Sequence, residues 1–183
     1  MLPQTSWIPT TALAVALPIN GISYDYVFAL SGDYTVNNLV GKVYVASNTV
    51  VRLKLTGTAK PTLIEVAGTG ASAGKLIVYM DGPSFTLSGN ETVDSGNALG
   101  FSYYGTTNNT SVTFGGNAAF TGTIYAPEAD ITLGGGGNTP YDVMGAMVGN
   151  TISMNGHFNL HFDENLIAAG PSRGFVASSW REL

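Results

Sequence analysis

The chain has no cysteine, so it forms no disulfide, offers no thiolate nucleophile and holds no Cys-ligated zinc. Charge is scarce as well: Lys, Arg, Asp and Glu make up 10% of the 183 residues, against roughly 25% in an average soluble domain. Lys and Glu normally populate the exposed faces of helices, so a chain this poor in them is poor in surface helix. The cations are Lys42, Arg52, Lys54, Lys60, Lys75, Arg173 and Arg181. None falls between positions 76 and 172, a stretch that carries Asp81, Glu91, Asp94, Glu128, Asp130, Asp142, Asp163 and Glu164. A surface of that kind cannot neutralise phosphates, which argues against nucleic-acid partners and anionic membranes. No apolar run approaches the ~20 residues of a spanning helix. The segment "TALAVALPIN" near the start is short and lacks the basic region of a signal peptide, so no membrane insertion is expected. The chain is expected either to begin as the mature protein or to have lost an export segment.

What is present points one way. Residues of the hydrophobic class make up 44% of the chain, glycine occurs 24 times, and the net charge of −5 is too small to hold such a chain unfolded. Strands punctuated by glycine and asparagine turns fit that composition. Four segments then align: "SFTLSGN" from Ser84, "SVTFGGN" from Ser111, "DITLGGG" from Asp130 and "TISMNGH" from Thr151, at steps of 27, 19 and 21 residues. Each follows a second strand-like run, "KLIVYM", "LGFSYY", "GTIYA" or "GAMVG". A unit of about 20 residues with two short strands is the mark of a solenoid, in which stacked coils build the core that one coil cannot.

The fold expected is an all-β, single-stranded parallel β-helix, taken as right-handed. One domain spans 1–183: a cap or extended segment at 1–22, irregular early coils at 23–75, regular coils at 76–166 and a closing segment at 167–183. Alternation places Phe85, Leu87, Val112, Phe114, Ile131, Leu133, Ile152 and Met154 inward. Thr86, Thr113, Thr132 and Ser153 form one outward ladder, and Ser84, Ser111, Asp130 and Thr151 a second beside it. "GGGG" from Gly134 lacks the Lys and Ser/Thr of a phosphate loop and reads as a corner. "DENLIAAG" is the expected helical turn and "FVASSWREL" the expected closing strand.

The run "FTGTIYAPEADITLGGGG…VMGAMVGNTISMNGHFNLHFDENL", residues 120–166, together with the ending "SSWREL", resembles an uncharacterised β-helical domain of bacterial cell-surface proteins, some of them PilX- or pilin-like. The resemblance covers positions 76–183. It implies export and surface display, extracellular or on the cell surface, and it transfers no catalytic residues. The membrane segment of some members is not found in this chain.

Several constellations bear on chemistry. Glu128 and Asp130 flank Ala129 and share a face if extended, as paired carboxylates do in glycoside hydrolysis at ~5–10 Å; the alternative is a solvated corner. In "GHFNLHFDEN", His157 and His161 lie ~13 Å apart in a strand, too far to share an ion. His161 and Asp163 are candidate metal ligands if the strand bends and a neighbouring coil adds a third, the alternative being a plain polar face. Tyr79, Tyr103, Tyr104 and Tyr125, if exposed, can stack on sugar rings. Thr86, Thr113 and Thr132 form the kind of ladder found on ice-binding solenoids, interrupted here by Asp130 and serines. The sequons at Asn90, Asn108 and Asn109 matter only in a eukaryotic secretory pathway. No catalytic constellation stands out and no cofactor is expected. The function expected is a non-enzymatic structural or adhesive surface protein whose partners are surface glycans or other surface or pilus proteins. The alternatives are a carbohydrate-active enzyme or glycan-binding module of the β-helix type, and an ice-binding protein.

Overall fold

The computed structural model describes residues 8–9, 18–89, 93–94, 97–116, 120–135, 141–156, 158–164 and 166. Fourteen strands form one continuous sheet: β1 (Ile8–Pro9), β2 (Tyr26–Phe28), β3 (Gly32–Val36), β4 (Leu39–Val45), β5 (Val50–Leu55), β6 (Ala59–Val66), β7 (Lys75–Met80), β8 (Ser84–Gly89), β9 (Val93–Asp94), β10 (Phe101–Gly105), β11 (Ser111–Gly116), β12 (Phe120–Gly135), β13 (Tyr141–Gly156) and β14 (Phe158–His161). All their pairings are parallel, between successive coils. The chain is a β-solenoid of about five turns at about 21 residues per turn.

Each coil has three faces, one more than the repeat suggested. On the first face Tyr34, Leu53, Val78, Tyr103, Ile124 and Met147 form one column. On the second, Leu39, Ala59, Phe85, Val112, Ile131 and Ile152 do so. The third runs Tyr26, Val43, Ile64, Val93, Phe120, Val143 and Leu160. Its strand segments are so short that the sequence merges them with the turns: β4, β6, β12 and β13 pass straight round corners between faces. The runs expected as irregular early coils stack in the same frame, with one register shift between Gly41 and Lys42. The four segments aligned from the sequence pair in the register expected, Ser84 with Ser111, Ser111 with Asp130, and Asp130 with Thr151.

Alternation fills the interior with branched and aromatic side chains. Val51, Leu53, Leu55, Ile64, Leu87, Val112 and Ile131 are fully buried. A chain of rings crosses the middle coils: Tyr103 meets Phe85 edge-on at 5.1 Å, and Phe114 meets Phe120 at 5.0 Å, ring centre to ring centre. Corners demand small residues. A Cβ on Gly145 would lie 1.8 Å from the Gly122 carbonyl oxygen, and its φ of +136° already disfavours a side chain.

Two expectations need correction. Ile152 and Met154 occupy the inward columns but are 47% and 40% exposed, because among the described residues no further coil lies on theirs. Gly134 and Gly135 are not a corner: they continue the ladder, pairing with Gly115 and Gly116 on one side and Asn155 and Gly156 on the other. The rest of that glycine run, most of the proposed cap at 1–22 and the closing strand at 167–183 lie outside the described residues. Of the expected helical turn, the structure describes a hydrogen bond from Leu166 N to Asp163 O at 3.0 Å.

Candidate binding cleft

Strand alternation generates the site. In β7, Leu76, Val78 and Met80 are core residues, which turns Ile77 and Tyr79 outward; in β10, Phe101 and Tyr103 are core, which turns Tyr104 outward. Parallel register then places Tyr79, Tyr104 and Tyr125 in one outward column, a rung (~4.8 Å) apart. The rings of Tyr79 and Tyr104 are stacked, with centres 5.6 Å apart and planes 20° off parallel. This is the offset arrangement that aromatic quadrupoles favour. Tyr104 and Tyr125 remain 42% and 52% exposed. With the loop at 105–107, Pro127 and Glu128, these rings line an open cleft of about 530 Å³.

The 105–107 loop that lines the cleft is held in place by Asp81. Thr106 Oγ1 donates to Asp81 Oδ1 at 2.9 Å, Asn108 Nδ2 donates to the same oxygen at 3.1 Å, and Lys54 Nζ lies 3.5 Å from Asp81 Oδ2. Burial pushes the Asp81 carboxyl up, but the two hydrogen bonds and the ammonium outweigh it and hold the group below its ordinary value. Beside the loop Asn109 is fully buried. Its Oδ1 accepts from Tyr103 Oη at 2.8 Å, and its Nδ2 donates to the carbonyls of Pro83 and Ser111, both at 3.3 Å. Its burial leaves no room for a glycan on that asparagine, and Tyr103, named from the sequence among exposed tyrosines, is instead 1% exposed. Burial also pushes the phenol of Tyr79 up, so it stays a neutral donor.

The two carboxylates have different surroundings. Ala129 is completely buried, and the register shifts between Ala126 and Asp130, so the strand bends where the two acids sit. Glu128 faces the cleft, and among the described residues no hydrogen bond or ion pair engages it. Asp130 faces the next coil. Its Oδ1 accepts from Thr151 Oγ1 at 2.7 Å and from Asn150 Nδ2 at 3.0 Å, and these bonds, Thr151's first, hold its carboxyl below the ordinary value. A general acid in glycoside hydrolysis needs the opposite shift.

The remaining candidates lie elsewhere. Thr86, Thr113 and Thr132 form the expected column on the second face, half-buried, with Ser153 exposed at its end. His161 and Asp163 have different partners. His161 Nε2 lies 3.2 Å from Asp142 Oδ1 of the preceding coil, at an exposed position. Asp163 Oδ2 accepts from Ala98 N at 3.3 Å. No group of three His, Cys, Asp or Glu side chains suited to a metal occurs among the described residues. His157 lies outside them.

Sequence reasoning named the three tyrosines of the cleft but not the 105–107 loop beside them. The signal available was the recurrence of Tyr at the same offset in "KLIVYM", "GFSYY" and "GTIY", each one residue past an inward position. The model of a family described as a domain of unknown function, DUF7305, matches residues 21–169. No curated protein and no solved structure matches the chain. No helix among the described residues is long and apolar enough to cross a membrane.

Proposed function

The chain belongs to the DUF7305 family, whose description assigns no activity, and we propose that this member is a non-enzymatic adhesive protein that engages glycans through the tyrosine cleft. The observation that carries the proposal is the outward column of Tyr79, Tyr104 and Tyr125 beside Glu128. Tyrosine rings offer flat apolar area for the C–H face of a sugar, and their hydroxyls, with Thr106, Thr107 and Glu128, supply donors and acceptors for its rim. A solenoid holds such groups at a fixed spacing on a stiff frame, so little order has to be gained on binding. A non-enzymatic role is supported by Asp130, whose carboxyl Thr151 and Asn150 hold below its ordinary value, the opposite of what a general acid in glycoside hydrolysis needs.

A glycan array tests the proposal. Binding is expected for the native protein and at least a tenfold weaker signal for Tyr104→Ala, with an unchanged circular dichroism spectrum because the ring lies outside the core. No retained glycan would overturn the adhesive reading, and release of reducing sugar from a bound polysaccharide would overturn its non-enzymatic part. Display on a bacterial surface belongs to the same proposal and draws on the resemblance over 120–166; antibody labelling of intact producing cells checks it.

The hydroxyl column of Thr86, Thr113 and Thr132 favours ice binding as a second reading. It spans only three coils, and Asp130 breaks the column beside it; ice crystals that grow unshaped in the protein's presence exclude it.

A further inference from the structure

We infer that the cleft selects sugars bearing a free amino group, with the protonated amine seated at Glu128 and the ring against Tyr104 and Tyr125. The inference rests on the glycan-binding reading and specifies the ligand of the same site.

The argument is one of charge. Glu128 is the single ionisable carboxylate among the residues lining the cleft, and it carries no internal partner among the described residues. The other charged groups nearby are already matched. Asp81, which holds the loop, is paired with Lys54 and hydrogen-bonded by Thr106 and Asn108. Arg52, whose charge reaches Tyr79, is paired through its Nε with Asp33. Asp130 is turned to Thr151 and Asn150. The cleft therefore presents one net negative charge beside an aromatic column, and the chain between 76 and 172 contains no cation to answer an acidic ligand. A uronate or sialate placed on Tyr104 would meet Glu128 with no compensating charge. An ammonium group there gains both the carboxylate and the ring faces, whose quadrupoles attract cations. Neutral sugars gain only the stacking and hydrogen bonds.

The geometry suits an oligomer. Tyr104 and Tyr125 stand one rung (~4.8 Å) apart on a straight column, so successive rings of an extended chain can each meet an aromatic side chain. Below them Tyr79 and then Lys54, paired with Asp81, continue the column.

Calorimetric titration with glucosamine tetramers and fully N-acetylated tetramers tests the inference, since the two share a backbone and differ in charge. At pH 6 and low salt the free-amine tetramer is expected to bind at least tenfold more tightly. That preference should vanish in Glu128→Gln, an exposed corner substitution, with the loss falling mainly on the free-amine tetramer. It should also shrink as rising pH deprotonates the amine and in high salt. Equal binding of the two tetramers, or a preference that survives in Glu128→Gln, overturns the inference and leaves the adhesive reading standing. Failure of both these tetramers and every glycan on the array to bind overturns the adhesive reading and the inference with it.

Discussion

Ile131 and Ile152 occupy the same column of the second face one coil apart, yet Ile131 is fully buried and Ile152 is 47% exposed. Leu133 and Met154 repeat the contrast beside them, and Val143 and Leu160 repeat it on the third face, where Leu160 is 57% exposed. The strands themselves do not differ: β13 alternates as β12 does, and thirteen register pairs join them across one bulge. What differs is the neighbour. Ile131 has Val112 below and Ile152 above, whereas among the described residues nothing stacks on Ile152. Burial in a solenoid is thus conferred by the flanking coils, and an apolar inward position becomes core only when both are in place. At this rung the same side chains make an exposed apolar surface beside a strand edge that is unpaired among the described residues, and such an edge elsewhere marks a place of contact or aggregation.

The largest effect expected from this contrast is in stability. Ile131→Ala empties a closed interior and should cost ~2–5 kcal/mol. Ile152→Ala removes a side chain already half in water and should cost under ~1 kcal/mol, since only the area actually withdrawn from water contributes. Urea midpoints of the two variants measure the difference. Equal losses would break the comparison by showing that the last rung is covered in solution.

A corner offers a smaller version of the same contrast. Asn109 is completely enclosed and satisfies the Tyr103 hydroxyl and two carbonyls, while its neighbour Asn108 is exposed. Asn109→Ala strands those partners away from water and is expected to cost ~1–3 kcal/mol. Asn108→Ala gives up one bond to the partly exposed Asp81 and should cost under ~1 kcal/mol. Thermal unfolding of the two alanine variants, with proteins matched in concentration, gives the ranking directly. A Tm loss at Asn108 as large as that at Asn109 would contradict the enclosure of the latter.

These cases also mark what was legible in the sequence. The register of Ser84, Ser111, Asp130 and Thr151, the inward columns and the hydroxyl ladders were readable, because alternation and a repeat near 20 residues are local properties of the string. The third face was not, because segments such as Val93–Asp94 are too short to show a period. Asn109 read as a possible glycan acceptor because nothing local distinguishes a polar residue that faces water from one that stitches a corner. The exposure of Ile152 and Met154 escaped for a related reason, since stacking depends on residues a full coil away. In the candidate site, the tyrosines were visible as outward alternates. The different surroundings of Glu128 and Asp130 depend on neighbouring coils and on an irregularity around buried Ala129 that two residues of spacing do not reveal. Gly134 and Gly135 misled in the other direction, looking like a corner while serving as rungs.

The smallest effect expected sharpens the comparison at the bond that joins the two regions. Asp130 belongs to a closed rung and accepts from Thr151 and Asn150 of the open one. Its folded-state carboxyl lies below the ordinary value, so the folded state prefers it ionised. The stabilisation is therefore fully present above the unfolded pKa of about 3.9 and is lost as pH falls through the folded-state value. Because the group is fully exposed, the change should register locally rather than in global unfolding. Amide protection factors across 151–156, corrected for intrinsic exchange, should fall between pH 5 and the acid limit, while those of 130–133 hold. In Asp130→Asn the side chain still accepts hydrogen bonds but no longer titrates. Protection of the last rung should then lose its pH dependence over that range. If the acid-induced loss persists unchanged in the variant, the tie between the closed and open rungs does not run through Asp130.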